Sequence, residues 1–344
     1  MRVRLISDAD LPAWQAFVDG HESSGCMHHA GWYGVLRDAF WVTPYFLMAI
    51  DERGAVQGVL PMYFSRSPLT GPHLSSLEGG VLATTEEAAR LLLTEARAIR
   101  DNTGSRFLQI RGGMIDRPAE ITQPAIHTLI DTSEPIEELW TNVKKKTRWA
   151  VRQAEQQALR VQEDATLDEL GAFYRVYAAH MRDLGTPVFG ADVFDAIAIH
   201  LGGKRLRLYL VKHDSRLIGG MLCIVNGHHW TDYYAVVRLS AETEFANYLL
   251  YWHVIRDAAQ SGVQRFDLGR STPDSNVHLF KRKWRGVDVE MPYHYYVRPG
   301  IRTENLAFSR QKQDKGILQK CWSALPSPFT NRLGPLLRKQ LPFI

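Results

Sequence analysis

Apolar and polar positions along the chain fall into two patterns that recur in the same order in each half. From Phe46 to Ile50 and from Ala55 to Phe64, two apolar runs flank the polar turn Asp51-Glu52-Arg53-Gly54, the signature of a β-hairpin. The runs Arg207 to Val211 and Leu217 to Val225 repeat this around His213-Asp214-Ser215-Arg216. A third strand follows each hairpin, at His73 to Leu82 and at Trp230 to Val237. The period then lengthens to that of a helix, from Glu86 to Arg100 and from Phe245 to Gln260, and Gly104 and Gly262 stand where each helix should end. A last strand closes each half: Arg106-Phe107-Leu108-Gln109-Ile110-Arg111 recurs 159 residues later as Arg265-Phe266-Asp267-Leu268-Gly269-Arg270. Gly58 and Gly219 occupy matching places, 161 residues apart. Duplication is the economical explanation. The predicted class is α/β or α+β, with two tandem units, each a mixed, mainly antiparallel sheet flanked by helices.

A polar stretch, Asp131-Thr132-Ser133-Glu134-Pro135, separates the copies, and Thr132 or Ser133 can cap the helix that follows. The expected division is an N-terminal unit over 1–132, a C-terminal unit over 133–298 and a tail over 299–344. From Ile136 to Leu159, apolar residues at Ile136, Trp140, Val143, Thr147, Val151, Ala154 and Ala158 predict one long helix with a buried stripe. Its other side carries Lys144, Lys145, Lys146, Arg148 and Arg152. These are either a solvated face or an anion platform suited to a tRNA backbone or a lipid-linked diphosphate.

Composition sharpens this only in part. An apolar content of 45% over 344 residues is enough for a sizeable core, and a net charge of +4 permits an anionic partner without requiring one. The longest nearly uninterrupted apolar stretch, Leu217 to Val225, is far short of the ~20 residues of a spanning helix. No apolar leader precedes Asp8, and Cys26, Cys223 and Cys321 are isolated, so a reducing cytoplasm is expected. The pairs His28-His29 and His228-His229 lack acidic or cysteine companions at ligand spacing, so no metal is expected. Trp230, Tyr248, Tyr251 and Trp252 read as core. After Asp314 there is no acidic residue, and Lys and Arg alternate with Ile, Leu, Trp and Phe. A peripheral membrane contact is one reading of this tail. The other is packing on the N-terminal unit, since Pro326, Pro328 and Pro335 interrupt a long amphipathic helix.

Three blocks carry a resemblance. The run from Leu139 through Lys144-Lys145-Lys146-Thr147-Arg148 to Leu159-Arg160-Val161 is one, and Phe266 to Ser271 with His278-Leu279-Phe280-Lys281-Arg282-Lys283-Trp284-Arg285-Gly286 is another. The third joins Val59-Leu60-Pro61, Ser65, Ser67 and Gly79-Gly80-Val81 to Leu325-Pro326 and Leu333-Gly334-Pro335. Together they resemble the FemAB group of aminoacyl-tRNA-dependent peptidyltransferases, in particular a subgroup associated with exosortase and exopolysaccharide systems. The strand and helix order is likewise that of the acetyltransferase (GNAT) superfamily.

The resemblance implies transfer of an aminoacyl group from its tRNA ester to an amine of a cell-envelope or polysaccharide precursor. A lipid- or nucleotide-linked acceptor is one reading of this resemblance. Chemistry of this kind needs two positioned substrates and stabilisation of a tetrahedral oxyanion. It needs no Ser/His/Asp or Cys/His nucleophile, and none is evident. Carried over, Lys281 stabilises the transition state with Phe280 beside it. The bland alternative is that Phe280 packs while Lys281 shares a basic surface with Arg282 and Lys283. If Lys281 is catalytic, its truncation should lower turnover with little loss of stability. Asp232 is a candidate to orient the acceptor amine or take its proton, and strand alternation predicts that Tyr234 shares its face. Asp267 and Arg270 flank a strand end, as ligand contacts or as an internal ion pair. Trp32 and Arg37 lie on a short helix where relatives often carry a phosphate-binding lysine.

No cofactor is expected. The donor is charged tRNA, with acyl-CoA as the alternative. The superfamily holds the CoA pyrophosphate on a glycine-containing loop, and Arg238 to Asn247, at that place, has no glycine and two glutamates. A non-catalytic basic binding module is the third reading.

Overall fold

The computed structural model describes residues 1–68, 70–302 and 315–340. The first half runs β1 (Arg2–Leu5), α1 (Leu11–Asp19), α2 (Trp32–Ala39), β2 (Val42–Pro44), β3 (Leu47–Ile50), β4 (Val56–Leu60), β5 (Met62–Ser67), β6 (Gly71–Glu78) and β7 (Leu82–Ala83). Helix α3 (Glu86–Asn102) and strands β8 (Phe107–Arg111), β9 (Ile121–Gln123) and β10 (Ile126–Asp131) follow. The second half opens with α4 (Ile136–Asn142), α5 (Lys145–Gln156), β11 (Leu159–Ala165), α6 (Leu170–Asp183) and α7 (Ala191–Leu201). It continues with β12 (Leu206–His213), β13 (Arg216–Asn226), β14 (His229–Val237), α8 (Ala246–Gln260), β15 (Arg265–Ser271) and α9 (Asn276–Lys281). Strands β16 (Val287–Glu290) and β17 (Tyr293–Val297) precede the tail helices α10 (Lys315–Ala324) and α11 (Ser327–Gln340).

The duplicated pattern is visible in three dimensions. In each half the third strand lies parallel to the strand after the long helix: β6 beside β8, and β14 beside β15. The predicted strand from Ala55 to Phe64 is split at Pro61. Strand β4 pairs with β3 and β7 in a four-stranded sheet, whereas β5 pairs with β2 and β6 in a six-stranded one.

The two halves exchange strands. β10, from the first half, lies between β15 and β16 in a seven-stranded sheet. β17, from the second half, lies between β8 and β9 in the six-stranded sheet. The hairpin that ends each copy thus leaves one strand at home and lends the other. Both exchanged pairings run across the division expected at 132/133. The largest hydrophobic cluster also crosses the division. It unites Trp14, Trp32, Val35 and Phe46 with Phe173, Phe194, Leu208 and Leu222.

Three expectations need correction. The single helix over 136–159 is two helices and a strand. Val143 and Lys144 take extended conformations, so that Val143 buries beside Leu139 in the second-half core, and Leu159 begins β11. On β14, a bulge breaks the alternation: Cys223 faces Asp232 but Leu222 faces Tyr234. Tyr233 and Tyr234 therefore pack together, ring centroids 4.3 Å apart, while Asp232 points into the other layer. The tail packs mainly on the second half. Gly185, after α6, touches Gln319, Arg338 lies 4.5 Å from the Phe189 ring and Lys339 donates to Asp192 at 2.7 Å. It reaches the first half through Lys339, 5.6 Å from the Trp41 ring. Pro326 lies between the two tail helices, Pro328 in the first turn of α11 and Pro335 within α11.

Candidate active site

Strands β14 and β15 are bonded in parallel from His229↔Arg265 to Thr231↔Asp267 and then part. Parting leaves backbone carbonyls of β15 without ladder partners, a cost unless something donates to them. Lys281, on the last turn of α9, does so. Its Nζ donates to Gly269 O at 2.7 Å and to Arg270 O at 3.0 Å. Ser275 caps α9 by accepting from His278 N–H at 3.2 Å. Phe280 packs among Tyr248, Tyr251 and Trp284, which fixes the helix on the core. Gly269 allows the approach: its φ is +75°, and a Cβ there would lie 2.9 Å from Asp232 O. Lys281 is 5% exposed and does not share the surface of Arg282. Burial lowers its pKa, and Asp232, Asp267 and Glu78 oppose that shift.

Around this ammonium the exchanged strands assemble acidic, aromatic and basic groups. Asp232 accepts from Tyr251 Oη at 2.7 Å, and burial pushes its carboxyl up to about 6 against the pull of Lys281. Asp267 accepts from Gly269 N–H at 2.7 Å and from His127 Nδ1 at 2.8 Å. His127 comes from β10 and is buried. Burial disfavours its charge, but Asp267 and Glu78 outweigh this and its pKa is raised. Its Nε2 lies 3.8 Å from Glu78 Oε2 and has no hydrogen-bond partner. Glu78, at the end of β6, accepts from Tyr293 Oη of β17 at 2.7 Å. Arg111 and Arg270, the final arginines of the two repeat copies, both lie over the Tyr293 ring, at 5.3 and 5.4 Å. Eight elements from both halves thus supply one site: β6, β8, β10, β14, α8, β15, α9 and β17.

Of the residues singled out by sequence, Lys281, Phe280, Asp232, Asp267 and Arg270 are brought together here. The others lie elsewhere. Trp32 is buried, donates to Cys26 O at 2.9 Å and packs on Tyr233. Arg37 is tied to Asp38 at 2.8 Å and Asp8 at 3.2 Å. Tyr234 belongs to a cluster with Tyr177 and Phe194. Lys144, Lys145, Lys146 and Arg152 are exposed on or beside α5, and Arg148 donates to Thr141 O at 3.2 Å. Trp230, Tyr251 and Trp252 are buried in the core. Sequence reasoning missed Glu78, His127, Tyr251 and Tyr293. The matching arginines ending the two repeats were the available signal. Among the described residues, no group of three or more His, Cys, Asp or Glu could hold a metal.

A cleft of about 550 Å³ opens where β14 ends, lined in part by His180, Asp183, Arg216, Arg238, Ser240, Glu242, Thr243 and Asn247. It begins about 16 Å along β14 from Asp232 at the usual strand rise. The loop that lines it is closed on itself. Ser240 N–H donates to Thr243 Oγ1 at 2.8 Å, Thr243 N–H to Ser240 O at 3.1 Å, and Ala246 N–H to Thr243 O at 3.0 Å.

The same order of strands and helix around a parallel pair, β6–β8 in one copy and β14–β15 in the other, is that of a tandem GNAT-like fold. A family model described as an acetyltransferase (GNAT) domain matches residues 141–282. Among solved structures, the chain is similar to one described as FemX, at 15% identity and TM-score 0.69, covering 87% of this chain and 98% of that one. It is also similar to a tandem GNAT protein from the clavulanic acid biosynthesis pathway, at 14% identity, TM-score 0.54, and 87% and 100% coverage. L-PGS from Bacillus licheniformis follows at 12% identity, TM-score 0.51, and 85% and 92% coverage. No curated protein matches the chain.

Proposed function

We propose that the chain is an acyltransferase that moves an aminoacyl group from aminoacyl-tRNA to an amine of a cell-envelope or polysaccharide precursor. The observation that carries this reading is the buried Lys281 ammonium, held in the gap between β14 and β15 with Asp232 and Asp267 close enough to act on its charge. Attack of the amine on the ester carbon forms a C–N bond and places negative charge on the carbonyl oxygen. A preorganised cation in a site shielded from water stabilises that charge. Collapse breaks the ester C–O bond, and the ribose hydroxyl leaves with a proton. Asp232, with its carboxyl near 6, is ionised at neutral pH and takes the proton from the attacking amine.

The choice of donor rests on the closed loop at the cleft. N–H groups of Ser240, Thr243 and Ala246 are already bonded within the chain, and Glu242 lines the same wall. A CoA pyrophosphate needs free N–H groups at this place. Arg216 and Arg238 beside it, and the basic α5, suit a polyanionic donor arriving from outside. The acceptor follows from the resemblance of the Phe280-Lys281 block and of the segments around Gly79-Gly80 and Leu333-Gly334-Pro335. The name of the tandem GNAT structure mentions AcCoA, so a CoA-dependent N-acyltransferase is the competing reading.

Equilibrium binding to a charged tRNA pool, to the same pool deacylated and to acetyl-CoA, each at two salt concentrations, separates them. Preference for charged tRNA with a steep salt dependence is expected. Binding of acetyl-CoA with indifference to tRNA would overturn the donor assignment and leave the acyltransferase class standing.

A further inference from the structure

Helix α11 is amphipathic the wrong way round. Against the body of the protein it sets small and polar groups: Thr330 is 2% exposed, Gly334 sits against Val188 and Trp322, and Pro335 meets Gly190. Arg338 and Lys339 complete that side through Phe189 and Asp192. Its outward side carries Phe329, Leu333, Leu336 and Leu337, exposed by 61, 44, 48 and 47%. Spacings of four, three and one residues place these four within about 100° of arc on one helix face. Exposing a large apolar side chain forgoes the free energy of its burial. Single exposed apolar residues are ordinary, but a contiguous stripe is the mark of an interaction surface.

Charge selects the occupant. Residues 315–340 contain Lys315, Lys320, Arg332, Arg338 and Lys339 and no acidic residue. Arg332 and Lys320 are exposed, and Arg332 borders the apolar stripe. A second copy seated on this face would set like charges against like. A bilayer with anionic headgroups meets both features at once, since the apolar side chains enter the acyl boundary while the cations bind the headgroups. Trp41, 56% exposed next to Lys339, adds an aromatic side chain at the same end of the helix. We propose that α11 is a peripheral docking surface for anionic membranes. Among the described residues no helix is long and apolar enough to cross a bilayer.

The test is flotation of the full chain with vesicles of phosphatidylcholine alone and of phosphatidylcholine mixed with phosphatidylglycerol. Expected is binding to the mixed vesicles only, weakened at high salt. It should fall at least tenfold in the double variant Phe329→Glu/Leu333→Glu, whose circular dichroism and thermal midpoint match the parent because both side chains face outward. Arg332→Glu should weaken binding and flatten the salt dependence. Failure of the parent to bind either vesicle overturns the proposal, as does equal binding by the double variant. Concentration-dependent dimers that the double variant abolishes, without vesicle binding, would assign the face to a second copy instead. None of these outcomes depends on the identity of the acyl donor.

Discussion

Lys281 performs two tasks with one atom. Its Nζ satisfies two backbone carbonyls in the gap between β14 and β15, and in the proposed reaction the same atom supplies the positive charge that stabilises the oxyanion. Lys281→Met should therefore lower turnover about 10²–10³-fold, the scale seen for loss of one oxyanion donor. It should also reduce unfolding stability by about 1–3 kcal/mol, because Gly269 O and Arg270 O lose their donor. A surface lysine would give no such stability loss in urea titration, so the expectation of an undisturbed fold does not survive the burial seen here. Asp232 gives the opposite trade. Its native carboxyl titrates near 6, against an ordinary value of 3.8, so the folded state holds its proton more tightly than the unfolded state. Stability then falls as pH rises from 3.8 to 6, and the cost is complete above that window. Asp232→Asn should stabilise the protein by up to about 3 kcal/mol at pH 8 and give no gain below pH 4, while reducing turnover. Equal gains at both pH values in urea melts would sink this account.

At the scale of elements, α5 presents its basic residues to solvent while Thr147, Ala150, Val151 and Ala154 bury. The variant Lys145→Glu/Arg148→Glu should weaken tRNA binding and lower the slope of log affinity against log salt by about two, which filter binding over a salt series measures. An unchanged slope would return α5 to the status of a solvated face. The strand–helix order of both copies was legible because hairpin turns, helical periods and terminal glycines are local signals. The break at Val143 was not, because it depends on a pocket made by Leu139 and residues of α8 and β11. The bulge at Tyr233 was hidden for a similar reason: alternation is the default for a strand, and here cross-strand packing overrides it. Lys281 and Asp232 could be named from sequence, whereas Glu78 and His127 could not. His127 lies far from Asp267 along the chain and meets it only through β10's place in the other half's sheet, and Glu78, on β6, joins the group through His127.

For the whole molecule, reciprocal exchange makes each half depend on the other. β8 lacks a neighbour without β17, and β15 lacks one without β10. Expressed separately, residues 1–132 and 133–344 should be insoluble or unfolded, and coexpression should restore a soluble complex. The intact chain should unfold in one calorimetric transition, with equal van't Hoff and calorimetric enthalpies. Two resolved transitions would show that the halves are energetically separate despite the shared sheets.

The same exchange sets a schedule for the nascent chain. β8 emerges from the ribosome about 190 residues before β17, a wait of roughly 10–40 s at ordinary translation rates. During that interval β8 is an open sheet edge with Phe107, Leu108 and Ile110 on it, the kind of surface that recruits a neighbouring strand. Production of active protein should therefore be limited less by the stability of the finished fold than by what shields this edge until the last strand is made.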